Sequence, residues 1–101
     1  MKVYNGFCEL LQEREVLPET GWVFVDKGQD IDSLAVARDA KYYVAETELE
    51  EIEFERSKRT FVECPSLMDV VSVLEKRQLK ASAEAYLDAV IFYRKNDSFK
   101  E

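Results

Sequence analysis

Carboxylates are the most abundant side chains in this sequence that could do chemistry, since the chain has 21 aspartates and glutamates and no histidine. The lack of histidine removes the commonest general base, the commonest metal ligand, and the serine–histidine and cysteine–histidine pairs of nucleophilic catalysis. Two carboxylates could still act as acid and base, as they do in glycosidases. Among so many acidic residues, however, some pair must lie close by chance. We therefore expect a protein that is not an enzyme, with carboxylate catalysis as the remaining enzymatic alternative.

The cysteines and glycines do not form a metal-binding or nucleotide-binding motif. Cys8 and Cys64 lie far apart and neither belongs to a CxxC pair, which argues against a zinc site. The three glycines are too dispersed for a phosphate-binding loop. Three aspartates cluster around one turn from Asp26 onward, but Gly28 takes the third position of an EF-hand loop, where Asp or Asn is needed. We expect no metal ion and no cofactor.

The acidic side chains are concentrated in residues 46–55. This segment has six glutamates and no lysine or arginine, so it carries −6 of the net charge of −7 and leaves −1 for the other 91 residues. One interpretation is a solvated edge: acidic residues on the solvent-facing side of a strand or helix keep the protein soluble and discourage edge-to-edge pairing. In that case Arg56, Lys58 and Arg59, which follow directly, would neutralise part of the charge.

The other interpretation is a docking surface for a basic protein, because clustered carboxylates steer association. Two tyrosines come just before the segment, and tyrosine is a common anchor at interfaces. At least one of them fits the core better, because it lies in an apolar strand. The candidate partner-binding residues are Tyr42, Tyr43, Glu46, Glu48, Glu50, Glu51, Glu53 and Glu55.

The composition predicts a single folded domain over residues 1–101. Hydrophobic residues make up 47% and aromatics 12%, which is enough for a core without metals or disulfides. The net charge argues against direct binding to nucleic acid or to anionic membranes. The chain has no secretory signal pattern and no apolar run of the roughly 20 residues that span a bilayer. We expect a cytoplasmic protein with two reduced, buried thiols, and the oligomeric state is not indicated.

Hydrophobic spacing predicts most of the secondary structure. Apolar residues at a helical period predict a helix over residues 3–15, and β-branched and aromatic residues predict a strand over residues 22–26. The further elements are strands at 34–38, 41–45 and 60–63, and helices at 66–77 and 82–95. These elements predict an α+β fold in which a small antiparallel sheet of three to four strands packs against three helices in two layers.

Residues 46–56 fit two structures. Ile52 and Phe54 alternate with glutamates, which favours a strand with one solvated face. Thr47 and Glu50 also fit a capping box, which would open a short helix. The alternation makes the strand our preferred interpretation, and the helix stays open.

The C-terminal half combines an extended segment at residues 61–63, an Asp-Val-Val phrase at residues 69–71 within the predicted helix 66–77, and a final helix that ends in a Tyr-x-x-x-Asp-x-Phe phrase. Tyr93, Asp97 and Phe99 form this last phrase and are expected to be structural, with Phe99 closing the core. In these features the chain resembles small bacterial immunity proteins of contact-dependent growth inhibition systems. The aromatic strand after Gly21 is in keeping with the same family.

The resemblance implies a cytoplasmic inhibitor that binds the catalytic domain of a secreted toxin. Such toxins are often nucleases, and a nuclease carries the basic groove that an acidic surface would fit. Because immunity surfaces vary with their toxins, the resemblance transfers no binding residue. The alternative is a non-catalytic adaptor or regulatory domain that binds another protein.

Overall fold

The computed structural model describes residues 1–77 and 81–96. The elements follow in the order β1 (Lys2–Asn5), α1 (Phe7–Gln12), a short 3-10 helix (Arg14–Val16), β2 (Trp22–Asp26), α2 (Leu34–Asp39), β3 (Lys41–Val44), α3 (Glu48–Ser57), β4 (Lys58–Glu63), α4 (Cys64–Arg77) and α5 (Ala83–Asn96). The four strands form one antiparallel sheet in the order β1-β3-β2-β4. The predicted α+β fold, a small antiparallel sheet packed against helices, is confirmed.

Side chains alternate between the two faces of the sheet, as they must in extended strands. Val23 and Val25 of β2 and Tyr42 of β3 point to one face, where they join the main core with residues of α1, α2, α4 and α5. Phe24 points to the opposite face and packs against Phe54 of α3. The described residues thus form five α-helices instead of the predicted three, and α3 lies on the face that the other four leave open.

A β-bulge in β4 allows two consecutive residues, Phe61 and Val62, to enter the same core. Val23 is aligned with Val62, whereas the next residue of β2, Phe24, is aligned with Thr60, so Phe61 is the extra residue. Arg94 of α5 donates from Nε to the Phe61 carbonyl at 2.6 Å, and this fastens the bulge to the helix layer.

The helix predicted over residues 3–15 is wrong at its start. Residues 2–5 form β1, and the helical segment is limited to α1 and the 3-10 helix. Gly6 separates them with φ 93°, a left-handed conformation that side chains disfavour, and its N–H donates to the Ala40 carbonyl. Val3 is 40% exposed, while its neighbour Tyr4 is buried. The helical spacing of apolar residues therefore begins at Val3, a side chain that faces solvent and not the core.

Two further expectations of strand are also wrong. Residues 34–38 lie in α2, whose N-cap is Ser33: its hydroxyl accepts from the Val36 N–H. Residues 46–56 contain most of α3, because the capping alternative holds: the Thr47 hydroxyl accepts from the Glu50 N–H at 3.2 Å.

The other predicted elements agree with β2, β3, β4, α4 and α5 to within a few residues at their ends. Cys64 is buried as expected, but Cys8 is exposed, and both thiols are free. Asp97 and Phe99, for which we predict structural roles, lie outside the described residues. Within residues 1–77 and 81–96, none of the helices has both the length and the apolar composition needed to span a bilayer.

Candidate functional site

The acidic segment forms helix α3, which is held to the sheet by one buried side chain. Phe54 is 7% exposed and contacts the rings of Phe24 and Tyr43 edge-on, with centroids 5.5 and 6.3 Å apart. The helix contributes no other buried residue. Because 3.6 residues complete a turn, the residues on the far side of the helix from Phe54 face solvent.

Two large apolar residues lie on that outward side. Leu49 is 79% exposed and Ile52 is 52% exposed, and they are adjacent on the helix surface because they are three residues apart. Glu48 and Glu55 flank them on one side and Glu53 on the other, at the positions that helical geometry dictates. An exposed apolar pair inside a charged rim has the organisation of a protein interface.

Four of the six glutamates have no partner for their charge in the described part of the chain. The carboxylates of Glu48, Glu51, Glu53 and Glu55 make no hydrogen bond or ion pair with residues 1–77 or 81–96. Glu51 and Glu55 are also four positions apart on the helix, a like-charge spacing that is unfavourable. Glu48, Glu53 and Glu55 present their negative charge to solvent, whereas Glu51 is half-buried.

The remaining two glutamates are engaged at the start of α3. The Met1 ammonium lies 2.8 Å from the Glu46 carboxylate and 3.1 Å from that of Glu50. Glu50 also accepts from the Glu46 backbone N–H at 3.0 Å. This backbone hydrogen bond, followed by that with the ammonium, lowers the pKa of the Glu50 carboxyl below its usual value. Glu46 and Glu50 thus order the first turn of α3.

The two tyrosines divide between core and surface. Tyr42 is fully buried, its hydroxyl donates to the Ala37 carbonyl, and burial raises the pKa of the phenol. It is therefore not part of the exposed surface. Tyr43 is half-buried beside α3 and donates to Asp26 Oδ2 at 3.1 Å. The Lys58 ammonium lies 3.7 Å from the centre of the Tyr43 ring, and this cation–π contact holds the Tyr43 ring in place beside α3.

The basic residues that follow the acidic segment form no ion pair with its glutamates. Lys58 forms its ion pair with Asp26, at 3.3 Å. Arg56 and Arg59 are exposed and form no ion pair with a residue in the described ranges. Because the segment is a helix and not the edge of a sheet, protection of an edge does not apply, and a solvated helix face stays open as the interpretation beside a docking surface.

A cleft of about 650 Å³ opens beside the N-terminal end of α3. Apolar residues of the 3-10 helix, of the loop that follows it and of two strands form its walls, among them Val16, Pro18 and Ala45. Glu46, Glu48 and Glu51 line it on the α3 side; the full lining is Lys2, Tyr4, Val16, Pro18, Thr20, Gly21, Val44, Ala45, Glu46, Thr47, Glu48 and Glu51.

The sequence located the acidic residues but missed Leu49, Ile52 and the cleft. Read as a strand, the alternation of Ile52 and Phe54 with glutamates places both apolar residues on the buried face. Read as a helix after the Thr47 cap, the same residues fall on different faces, and Leu49 joins Ile52 on the outside. The capping box was therefore the signal that could have revealed this surface.

Within residues 1–77 and 81–96, no group of three or more histidine, cysteine, aspartate or glutamate side chains is placed to hold a metal ion. Comparison of the chain with protein families, with curated proteins and with solved structures finds no match. The described residues of this region offer carboxylates, exposed aliphatic side chains and an adjoining cleft.

Proposed function

We propose that the protein binds a basic protein through the outward side of α3, and that it acts as an immunity protein that neutralises a toxin domain. The observation that carries the proposal is the exposed apolar pair of Leu49 and Ile52 within unpaired carboxylates. The apolar pair supplies a desolvated centre, and the glutamates supply long-range attraction to a positively charged partner. No step of this function requires catalysis.

The position of the glutamates along α3 supports use by a partner. Acidic residues in the first turn of a helix interact favourably with its dipole, so Glu48 has a structural reason to be there. Near the C-terminal end the sign reverses, and Glu53 and Glu55 cost the helix stability. A role in the helix itself does not account for these two side chains, whereas attraction of a basic surface does.

The immunity role is the specific form of the proposal, and it rests on the resemblance of the C-terminal half to immunity proteins. A cytoplasmic inhibitor would meet a toxin catalytic domain, and a nuclease domain offers the basic groove that suits a surface of this charge. An adaptor that binds a basic protein without neutralising a toxin would use the same side of α3. The two differ in what happens to the partner's activity.

The test is co-expression with the neighbouring reading frame, since an immunity gene lies directly downstream of its toxin gene. We expect a one-to-one complex and loss of the toxin's activity. Reversing both Glu53→Lys and Glu55→Lys should slow association at low salt by about tenfold and weaken its salt dependence. Reversing Glu13→Lys at the end of α1 and Asp69→Lys on α4 changes net charge equally on the opposite face of the sheet, where neither carboxylate has an ion pair in the described residues, and serves as the control.

Two results would count against the proposal. Equal slowing by both double variants would mean that only net charge matters and that α3 is not the contact. A complex that forms with unchanged partner activity would support the adaptor role over the immunity role. The fold of each variant is checked by its circular dichroism and urea midpoint.

A further inference from the structure

The cleft beside α3 differs chemically from the outward side of the helix. Val16, Pro18 and Ala45 give it an apolar part, and its carboxylates come from residues 46–51. It is an open cleft of about 650 Å³, which leaves room for a long side chain with its flanking backbone. An occupant that suits this cleft has an aliphatic stem and a cationic end.

Glu51 is the carboxylate that the fold holds in the cleft. It is half-buried, and its Oε2 lies 3.3 Å from the point that a side-chain carbon on Gly21 would occupy. Gly21 has φ 99°, and its carbonyl accepts from the Cys64 N–H at 2.9 Å, so the backbone against which Glu51 lies is fixed. In the described part of the chain this carboxylate has no hydrogen bond or ion pair.

The charge of the cleft favours a cation. Glu46, Glu48 and Glu51 line it together with one cationic side chain, that of Lys2. The Met1 ammonium pairs with Glu46, so Glu48 and Glu51 are the two lining carboxylates that have no ion pair in the described part of the chain, and the cleft stays net negative. A half-buried carboxylate lacks part of its hydration, and an incoming guanidinium would replace it with directed, charge-assisted hydrogen bonds.

From this arrangement we infer that the cleft is a socket for an arginine side chain of the basic partner. The aliphatic stem would pack on Val16 and Pro18, and the guanidinium would donate to Glu51 and Glu48. Arginine fits better than lysine because it is more weakly hydrated and because its planar group can bond two carboxylate oxygens at once. The inference rests on the proposed function, to which it adds the partner's anchoring residue.

The test is a titration of the isolated protein with N-acetyl-arginine-N-methylamide as the probe. Binding is measured from chemical-shift changes in ¹H–¹⁵N NMR spectra. We expect a dissociation constant of about 1–10 mM, with shifts largest at the amides of Gly21, Thr47 and Glu51. The citrulline analogue, which has the same shape without the charge, should bind at least about tenfold more weakly. The lysine analogue should bind about threefold more weakly than arginine.

Matched variants separate a socket from general attraction to a negative surface. Glu51→Gln and Glu55→Gln remove the same charge from the same helix, but only Glu51 lines the cleft. We expect Glu51→Gln to weaken arginine binding by about fivefold and Glu55→Gln by less than about twofold. Thr20→Phe, which fills the cleft without changing charge, should abolish the localised shifts.

Equal effects of the two glutamine variants, shifts spread over the exposed glutamates, or no binding at 100-fold excess of probe over protein would overturn the socket. The proposed function fails differently. If the arginine analogue binds in the cleft but the complex with the neighbouring gene product is insensitive to changes on α3, the socket stands and the docking surface falls. If the complex responds to Glu53→Lys with Glu55→Lys but not to Glu51→Gln, the docking surface stands alone.

Discussion

On one face of the sheet, 21 buried residues from four helices and all four strands form a continuous core, whereas on the other face three buried residues attach α3. These numbers refer to residues 1–77 and 81–96. The large core holds the fold together, and the small cluster only fastens one helix to a sheet that is already formed. The outward side of α3 can therefore change its residues without disturbing the core, which is what a recognition surface requires.

The largest expected loss of stability follows from shortening a side chain in the main core. Leu67 of α4 is fully buried, so we expect Leu67→Ala to lower the free energy of unfolding by about 4 kcal/mol through lost burial and a residual cavity. Leu49→Ala makes the same chemical change at a site that is 79% exposed, and should stay within about 0.5 kcal/mol. Urea unfolding measures both. Similar losses for the two would contradict the division into core and surface.

The main core should also weaken in alkali because it contains Cys64. Burial, with a smaller contribution from the negative charge of Glu51, raises the pKa of this thiol from 9.0 to about 11. Above pH 9 the unfolded chain loses the proton while the folded chain keeps it, so the folded state loses stability as the pH rises. The free energy of unfolding should fall by up to about 3 kcal/mol as the pH rises from below 9 to above 11.

The contribution of Cys64 is isolated by comparison with Cys64→Ala, which should lack this part of the decline. Tyrosine ionisation is common to both proteins and cancels in the difference. Exposed Cys8 provides the control, because Cys8→Ala should leave the pH profile unchanged. Parallel profiles for Cys64→Ala and the native protein would show that the thiol ionises as readily in the folded state.

The smallest of the three losses of stability is expected on the second face, where α3 packs. Phe54→Ala should lower the free energy of unfolding by about 2 kcal/mol. This is less than is usual for truncating a buried aromatic side chain, because the cluster is small and α3 can move into the space. Hydrogen exchange should quicken in the α3 amides, beyond the change in global stability, while α4 and α5 follow the global change only. An equal change in all three helices would show that α3 is part of the main cooperative unit.

The fold class was predictable because it depends on patterns that repeat along each element. The β-branched and aromatic residues of Trp22–Asp26 predict a strand, and the spacing of Leu67, Val70 and Val71 predicts the helix α4. The failures come from short elements whose apolar pattern fits either period. In β1 and α1 the residue that decides is Gly6, whose positive φ ends a strand where the hydrophobic spacing suggested an unbroken helix.

The site was predictable in its charge but not in its shape. Counting glutamates locates the acidic segment, whatever structure it adopts. Which side chains face outward depends on whether Thr47 caps a helix, and one hydrogen bond to the Glu50 N–H decides this. The cleft joins residues distant in sequence, such as Pro18 and Glu51, and depends on the path of the loop between them. Local pattern carries no information on such a path.

The bulge at Phe61 has a consequence for how the molecule behaves at high concentration. β4 lies at an edge of the sheet, and an open edge can template the addition of another chain and so the growth of fibrils. Here the Phe61 carbonyl is occupied by Arg94, the strand is kinked, and it begins with two cationic residues, Lys58 and Arg59. These features oppose polymerisation through this edge.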